Sequence, residues 1–289
     1  MKLSKLLRNT LPTLTRLGMF SLIAALCFSC TASSDIAVQS MKMELPTGQQ
    51  SFSEELLHGE LADLKIVHNA YAGPGLQRLV LSEGNIDMFL FIKGNGLLKI
   101  DTLTFDISPE SIAIPFSSDS ISFEIADGEV FHFVQFTKQL TETDQEDFKK
   151  FNSENKYNVF FRKFSDCEPY TEKIKSPNTV SRTVLPENII PRVSLGTVEA
   201  PGPDEVGAHK HPMLEQLFLG LTQNDIIVHA DEKSVALKEY SLLHIPLGST
   251  HWAEVTTNKK MYYLWMDFFL TKEGQEWLKT HKPMSTKKK

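Results

Sequence analysis

Three histidines and a glutamate in the C-terminal half of the chain are of the types, and at the spacing, that could hold a transition metal. The dense segment is Gly207-Ala208-His209-Lys210-His211-Pro212-Met213-Leu214-Glu215. On an extended strand alternate side chains share a face, so His209, His211 and Glu215 are expected to point the same way. Further on, Ile245-Pro246-Leu247-Gly248-Ser249-Thr250-His251 delivers a third imidazole from a Pro-x-Gly turn. Three imidazoles and a carboxylate form a borderline-soft donor set, suited to Fe, Mn, Ni, Co or Zn rather than Ca. The expected cofactor is therefore one divalent transition metal ion. A lone histidine is usually an ordinary core or surface residue; four ligand types with the right turn between them point to a site.

The elements that must position these residues read as short strands. Leu79-Val80-Leu81, Met88–Ile92, Leu97–Ile100, Ile112–Pro115, Ile121–Ile125 and Val130–Val134 are apolar or alternating runs broken by turn residues. A second series follows at Arg192–Val198, Glu215–Leu219, Ile226–His229, Leu242–Ile245, His251–Val255 and Met261–Phe269. Such spacing signals an all-β barrel or sandwich, here two modules in tandem. Between them Thr141 to Phe151 reads as a short amphipathic helix capped by Thr141 or Thr143, and Lys272–Lys279 as a closing helix.

His209, His211, Glu215 and His251 resemble the cupin signature, His-x-His, three or four residues, Glu, then Pro-x-Gly-x-x-His. The match departs at turn and frame positions: Pro203, Thr222, Tyr240 and Val255 stand where the family carries glycines and an asparagine. The first module echoes the second. Setting Asp87 against Glu215 puts Gly94 at the expected glycine, Leu81 and Glu83 at the histidine positions, and Ser120 opposite His251. The resemblance therefore implies a bicupin, an all-β chain of two jelly-roll (double-stranded β-helix) barrels. It implies a metal ion in the second barrel and a degenerate first barrel without one. Residues 1–29 are assigned to a signal peptide, 30–50 to a tether and 51–140 to the degenerate barrel. Residues 141–185 are assigned to a helix and linker, and 186–289 to the metal-binding barrel with its closing helix.

A cupin metal supports several chemistries, and fold alone does not choose between them. The reading favoured is small-molecule chemistry, an isomerase or lyase acting on a sugar or uronic acid. The strand ending Tyr262-Tyr263-Leu264-Trp265-Met266-Asp267 is loosely similar to bicupin uronate isomerases. Oxygen-dependent cleavage, as in cupin dioxygenases, is the enzymatic rival. A non-catalytic carbohydrate- or metal-binding surface lipoprotein is the alternative, catalytic residues are not assigned, and a homodimer is left open.

The first residues are a different material. Lys2, Lys5, Arg8 and Arg16 precede an apolar run from Leu17 to Phe28, too short to span a bilayer as a helix, which reads as a secretory signal. Ser29-Cys30 then resembles the lipobox of bacterial lipoproteins, making Cys30 the candidate lipidation site and the membrane a partner through that anchor. Cys27 and Phe28 fit that pattern poorly, and ordinary signal cleavage near Ala32-Ser33-Ser34 is the runner-up. Either way the mature chain is expected outside the cytoplasm. Losing the four leader cations leaves 26 basic against 36 acidic residues, a poor composition for binding nucleic acid.

Lesser candidates carry blander readings. His229 and His244 are expected to be satisfied or to point outward. Trp252, Tyr262, Tyr263 and Trp265 could line a sugar-binding mouth but at strand spacing are more often core. Arg182 and Arg192 could grip a substrate carboxylate, against a default of ordinary ion pairing. Cys167 lacks any His–Asp context that would mark a nucleophile.

Overall fold

The computed structural model describes residues 35–155, 158–211 and 213–280. The leader and Cys30 lie outside the described residues. Among the described residues no helix is long and apolar enough to cross a membrane.

Among the described residues twenty-one strands form two sandwich-like barrels. The first barrel has a six-stranded sheet ordered β11 (Val159–Lys163), β8 (Ser111–Pro115), β5 (Asn85–Lys93), β10 (Val130–Gln139), β3 (Leu64–Ala72) and β2 (Ser51–Glu55). Facing it are β4 (Gly75–Val80), β9 (Ser120–Ile125), β6 (Gly96–Ile100) and β7 (Leu103–Ile107). The second barrel repeats this plan. Its seven-stranded sheet is ordered β1 (Ala37–Ser40), β19 (Ser241–Ile245), β16 (Leu214–Gly220), β21 (Lys260–Phe269), β14 (Val193–Pro201), β13 (Val180–Leu185) and β12 (Pro169–Tyr170). Its four-stranded sheet is β15 (Asp204–Lys210), β20 (Thr250–Val255), β17 (Asp225–Ala230) and β18 (Lys233–Lys238). The expected all-β bicupin architecture is present.

Two expected boundaries shift. Residues 30–50 were assigned to a tether, yet Ala37–Ser40 pairs antiparallel with Ser241–His244 and extends the second barrel's sheet. The linker part of 141–185 supplies strands to both barrels: β11 pairs with β8 of the first, and β13 with β14 of the second. Both segments sit where a sheet edge would otherwise leave backbone groups unpaired, which favours their recruitment. The helix α1 (Glu142–Asn155) starts at Thr141: its hydroxyl accepts from the Asp144 amide at 3.2 Å, and Asp144 accepts from the Thr141 amide at 3.1 Å. That reciprocal pair is a capping box, which selects Thr141 over Thr143. The closing helix α2 spans Lys272–Thr280.

Three cores result, and they decide which side chains can face the site. Phe89, Phe91, Phe123, Phe131 and Phe133 fill the first barrel. Val198, Phe218, Ile245, Ala253 and Tyr263 line the second. The third core joins the barrels, with Met88, Leu90, Ile112 and Val134 against Leu195, Leu217, Leu219 and Met266. The central strands of the six- and seven-stranded sheets are therefore buried on both faces.

Candidate metal centre

A bulge in the β15–β20 ladder between Val206 and His209 re-aims the end of β15, so that His209 pairs directly with His251. His211 follows just past the end of β15. The three rings converge, with centroids 4.3 Å apart for His209–His251, 4.9 Å for His209–His211 and 5.4 Å for His211–His251. One nitrogen from each lies within 4.8 Å of the others.

The ring orientations are set from behind. His209 Nδ1 donates to the Gly207 carbonyl at 2.8 Å and His251 Nδ1 to the Ser249 carbonyl at 3.4 Å, leaving each Nε2 free. Among the described residues His251 Nε2 and His211 Nδ1 are buried without a hydrogen-bond partner. Buried polar atoms normally find partners, and convergent unpaired imidazole nitrogens fit a transition-metal ion. Burial holds all three imidazoles neutral: it lowers the pKa of His209, brings His211 to about 4 with help from His209, and brings His251 to about 3 with help from both neighbours. The triad is a preformed set of neutral imidazole donors.

Glu215 does not join it. On β16 the inward residues are Gln216 and Phe218, whereas Leu217 and Leu219 face the core between the barrels. Glu215 shares the outward parity. Its Oε2 meets His244 Nε2 at 2.9 Å, and His244 Nδ1 meets Glu60 at 2.9 Å. The expected four-residue ligand set is thus corrected to three histidines, because strand parity turns the glutamate to the other face of the sheet. Gln216 stands on the inner face instead, 5% exposed. Its Nε2 donates to Asp267 Oδ1 at 2.8 Å and its Oε1 is buried without a partner.

Beyond Gln216 lies a buried polar group that the sequence did not signal. Lys175, on the segment after β12, pairs with Glu172 at 3.0 Å and donates to Ser181 at 2.9 Å. That segment is laced to β15 by the Lys175–Val206 bridge and by the Gly207 amide, which donates to Ile174. Burial lowers the lysine's pKa against the pull of Glu172. Burial also raises Asp267 to about 7, partly opposed by Gln216, so near neutrality this carboxyl is poised between its two forms. Asp267 ends the segment Tyr262–Asp267 singled out above, but Lys175 and Glu172 sit in a stretch without pattern.

The lesser candidates separate cleanly. His229 stacks on Trp252 at 4.4 Å on the outer face and meets Glu254 at 3.3 Å, as expected of a satisfied histidine. His244 points out of the second barrel but is buried, its pKa lowered by burial and raised on balance by Glu215 and Glu60. Tyr263 lines the barrel interior and Trp265 packs against the same core, whereas Tyr262 faces the junction and hydrogen-bonds Glu110. Arg192 grips Asp144 with both ends of its guanidinium, at 2.6 and 2.5 Å, and Arg182 pairs with Glu199 at 3.4 Å. Cys167 is buried, and burial raises its thiol pKa.

Among the described residues the first barrel sets no imidazoles at the positions of the triad, and the residue matching shifts. In the β4–β9 ladder Leu79 pairs with Ile121, as His209 pairs with His251 in the second barrel. The counterparts of the triad are therefore Leu79, Leu81 and Ile121, not Leu81, Glu83 and Ser120. Glu83 is exposed and Ser120 accepts from Arg78 at 3.0 Å. Asp87 faces inward with Phe89 and accepts from Gln135 at 2.8 Å, so it corresponds to Gln216 rather than Glu215. Five phenylalanines occupy the remaining interior, with the closest ring pair at 4.9 Å. Aromatic pairs of this kind contribute about 0.5–1.5 kcal/mol beyond their area, so this barrel is built for packing.

No protein-family model and no curated protein matches the sequence. Solved structures do match. Oxalate decarboxylase from Lactobacillus farciminis, in a formate complex, aligns with TM-score 0.59 and 13% identity over 82% of this chain and 87% of that one. A protein named for glyoxylate induction, from Pseudomonas aeruginosa, gives 0.63 and 12% over 77% and 82%. A cupin 2 conserved barrel domain protein from Leptotrichia buccalis gives 0.51 and 14% over 80% and 91%. The chain has the cupin fold. Specifically it has the fold of a bicupin, and among the described residues its candidate metal centre lies in the C-terminal barrel.

Proposed function

We propose that the C-terminal barrel binds one divalent transition metal ion through His209, His211 and His251 and acts there on a small acidic molecule. The favoured reaction is isomerisation or lyase cleavage of a sugar acid or uronic acid. The observation that carries the reading is the convergence of three imidazoles, with His211 Nδ1 and His251 Nε2 buried and unpartnered among the described residues. A metal ion bound there supplies Lewis-acid polarisation of a carbonyl. The chain's own residues supply the rest. Lys175 offers an ammonium for a substrate carboxylate, and Asp267, hydrogen-bonded to Gln216, is a carboxyl able to take and return a proton. Tyr263 and Phe218 exclude water from the inner end. Neighbours named for oxalate and glyoxylate support a small acidic substrate.

The test starts with elemental analysis of the protein purified from its own host, where one transition metal per chain is expected. Candidate uronates incubated with that protein in deuterated water should then take up solvent label beside the carbonyl. Consumption of dioxygen would favour oxidative cleavage, and binding without turnover or exchange would replace the enzyme with a sugar-acid-binding protein. The same proposal places the protein outside the cytoplasm on a lipid-modified Cys30. Mass spectrometry of the mature N-terminus checks this: an unmodified start beyond Ala32 would leave a soluble exported protein.

A further inference from the structure

We infer that Gln216, not Glu215, is the fourth protein donor of the metal centre, through its side-chain oxygen; this rests on the proposed metal site of the triad. Three observations converge on Gln216. It lies on the inner face of β16, one inward step from Phe218, whose ring lies 6.1 Å from that of His251. It pairs across the sheet with Ile245, at the end of the strand whose turn leads to His251. Its Nε2 is tied to Asp267 at 2.8 Å, which fixes the amide and leaves Oε1 as an unpartnered acceptor at a residue 5% exposed. An acceptor left bare in a barrel interior is costly, and a metal ion held by the triad would satisfy it.

Glu215 is engaged elsewhere. Its carboxylate is held by His244, which Glu60 grips from the other side, within the contact between the two barrels. To ligate a metal inside the barrel it would have to break that chain and cross to the other face of a strand paired on both sides.

The charge consequence defines the ligand class. A carboxylate would neutralise one of the ion's two charges, whereas an amide neutralises none. The site then favours a ligand that brings an anionic oxygen, such as the carboxylate and adjacent hydroxyl of a small 2-hydroxy acid.

The experiment compares Co(II) binding by the full chain with its Gln216→Leu, Gln216→Glu, Glu215→Gln and His251→Ala variants. Affinity is measured by titration and coordination by the visible Co(II) spectrum. Losing an outer-shell partner alone commonly costs about 10- to 100-fold in metal affinity, so losing a donor should cost at least about tenfold. Gln216→Leu is expected to weaken Co(II) by at least that factor and to alter its spectrum, while Glu215→Gln leaves both unchanged. Gln216→Glu should tighten Co(II) but weaken the binding of added glycolate to the loaded protein. Loss of affinity in Glu215→Gln, or an unchanged affinity and spectrum in Gln216→Leu, would overturn the assignment. His251→Ala separates this from the underlying reading: if it still binds Co(II) like the parent, the triad is not the metal site at all.

Discussion

Acid should destabilise this protein partly through a histidine far from the candidate metal centre. His132 on β10 is fully buried, stacked on His68 with centroids 5.4 Å apart, and its Nδ1 lies 3.2 Å from His68 Nε2. Its own Nε2 is buried without a partner. Burial, then the nearby His68 and Lys93, lower its pKa from 6.5 to about 4. The folded pKa lies below the unfolded one, so between these values the unfolded chain takes a proton that the folded chain refuses. Stability is therefore unaffected above about pH 6.5, falls as pH drops through the window, and levels off below about pH 4. At about 1.4 kcal/mol per pH unit the full loss is about 3 kcal/mol. For a chain of this size that is a fall in Tm of about 6–12 °C. The assay is thermal unfolding by circular dichroism from pH 7 to 4, for the parent and for His132→Gln, which keeps a hydrogen-bonding partner for His68 but cannot titrate. Proton uptake by the triad is common to both proteins and cancels. The variant should lose less stability on acidification, by about the amount calculated. Identical pH profiles, each referred to its own value at pH 7, would refute the reasoning.

His244 should act in the opposite direction. The carboxylates of Glu215 and Glu60 raise its folded pKa, so its contribution is present below about pH 6.5 and is lost as pH rises through the raised value. His244→Gln should flatten that alkaline decline in unfolding curves, and an unchanged decline would show the bridge to be inert. Asp144→Ala removes both the Thr141 cap partner and the two-pronged contact to Arg192, whose remaining bonds reach the Phe269 and Leu270 carbonyls. Breaking a largely buried pair of this kind costs about 3–5 kcal/mol, and calorimetry showing under about 1 kcal/mol would place the pair in the solvent-screened class.

The strand pattern, the tandem plan and the three histidines were legible in the sequence itself. The two-residue repeat of a strand puts His209 and His211 on one face and the Pro246–Gly248 turn precedes His251, while the bulged pairing of β15 with β20 sets His209 against His251. The fourth position was not legible. Leu214 to Gly220 is buried on both faces, inside the second barrel and between the barrels, so both faces are apolar and the usual alternation is erased. Without that alternation the sequence cannot say whether Glu215 or Gln216 points inward, and a one-residue difference reverses every side chain. The same ambiguity misplaced the first barrel's counterparts of the ligands. Lys175, Glu172 and the edge strand Ala37–Ser40 were hidden for another reason: their roles come from long-range pairing, to Val206 and to Ser241–His244, which no local pattern encodes. Residue chemistry and strand period chose the imidazoles; the packing of one barrel against the other decided whether Glu215 or Gln216 faces inward with them.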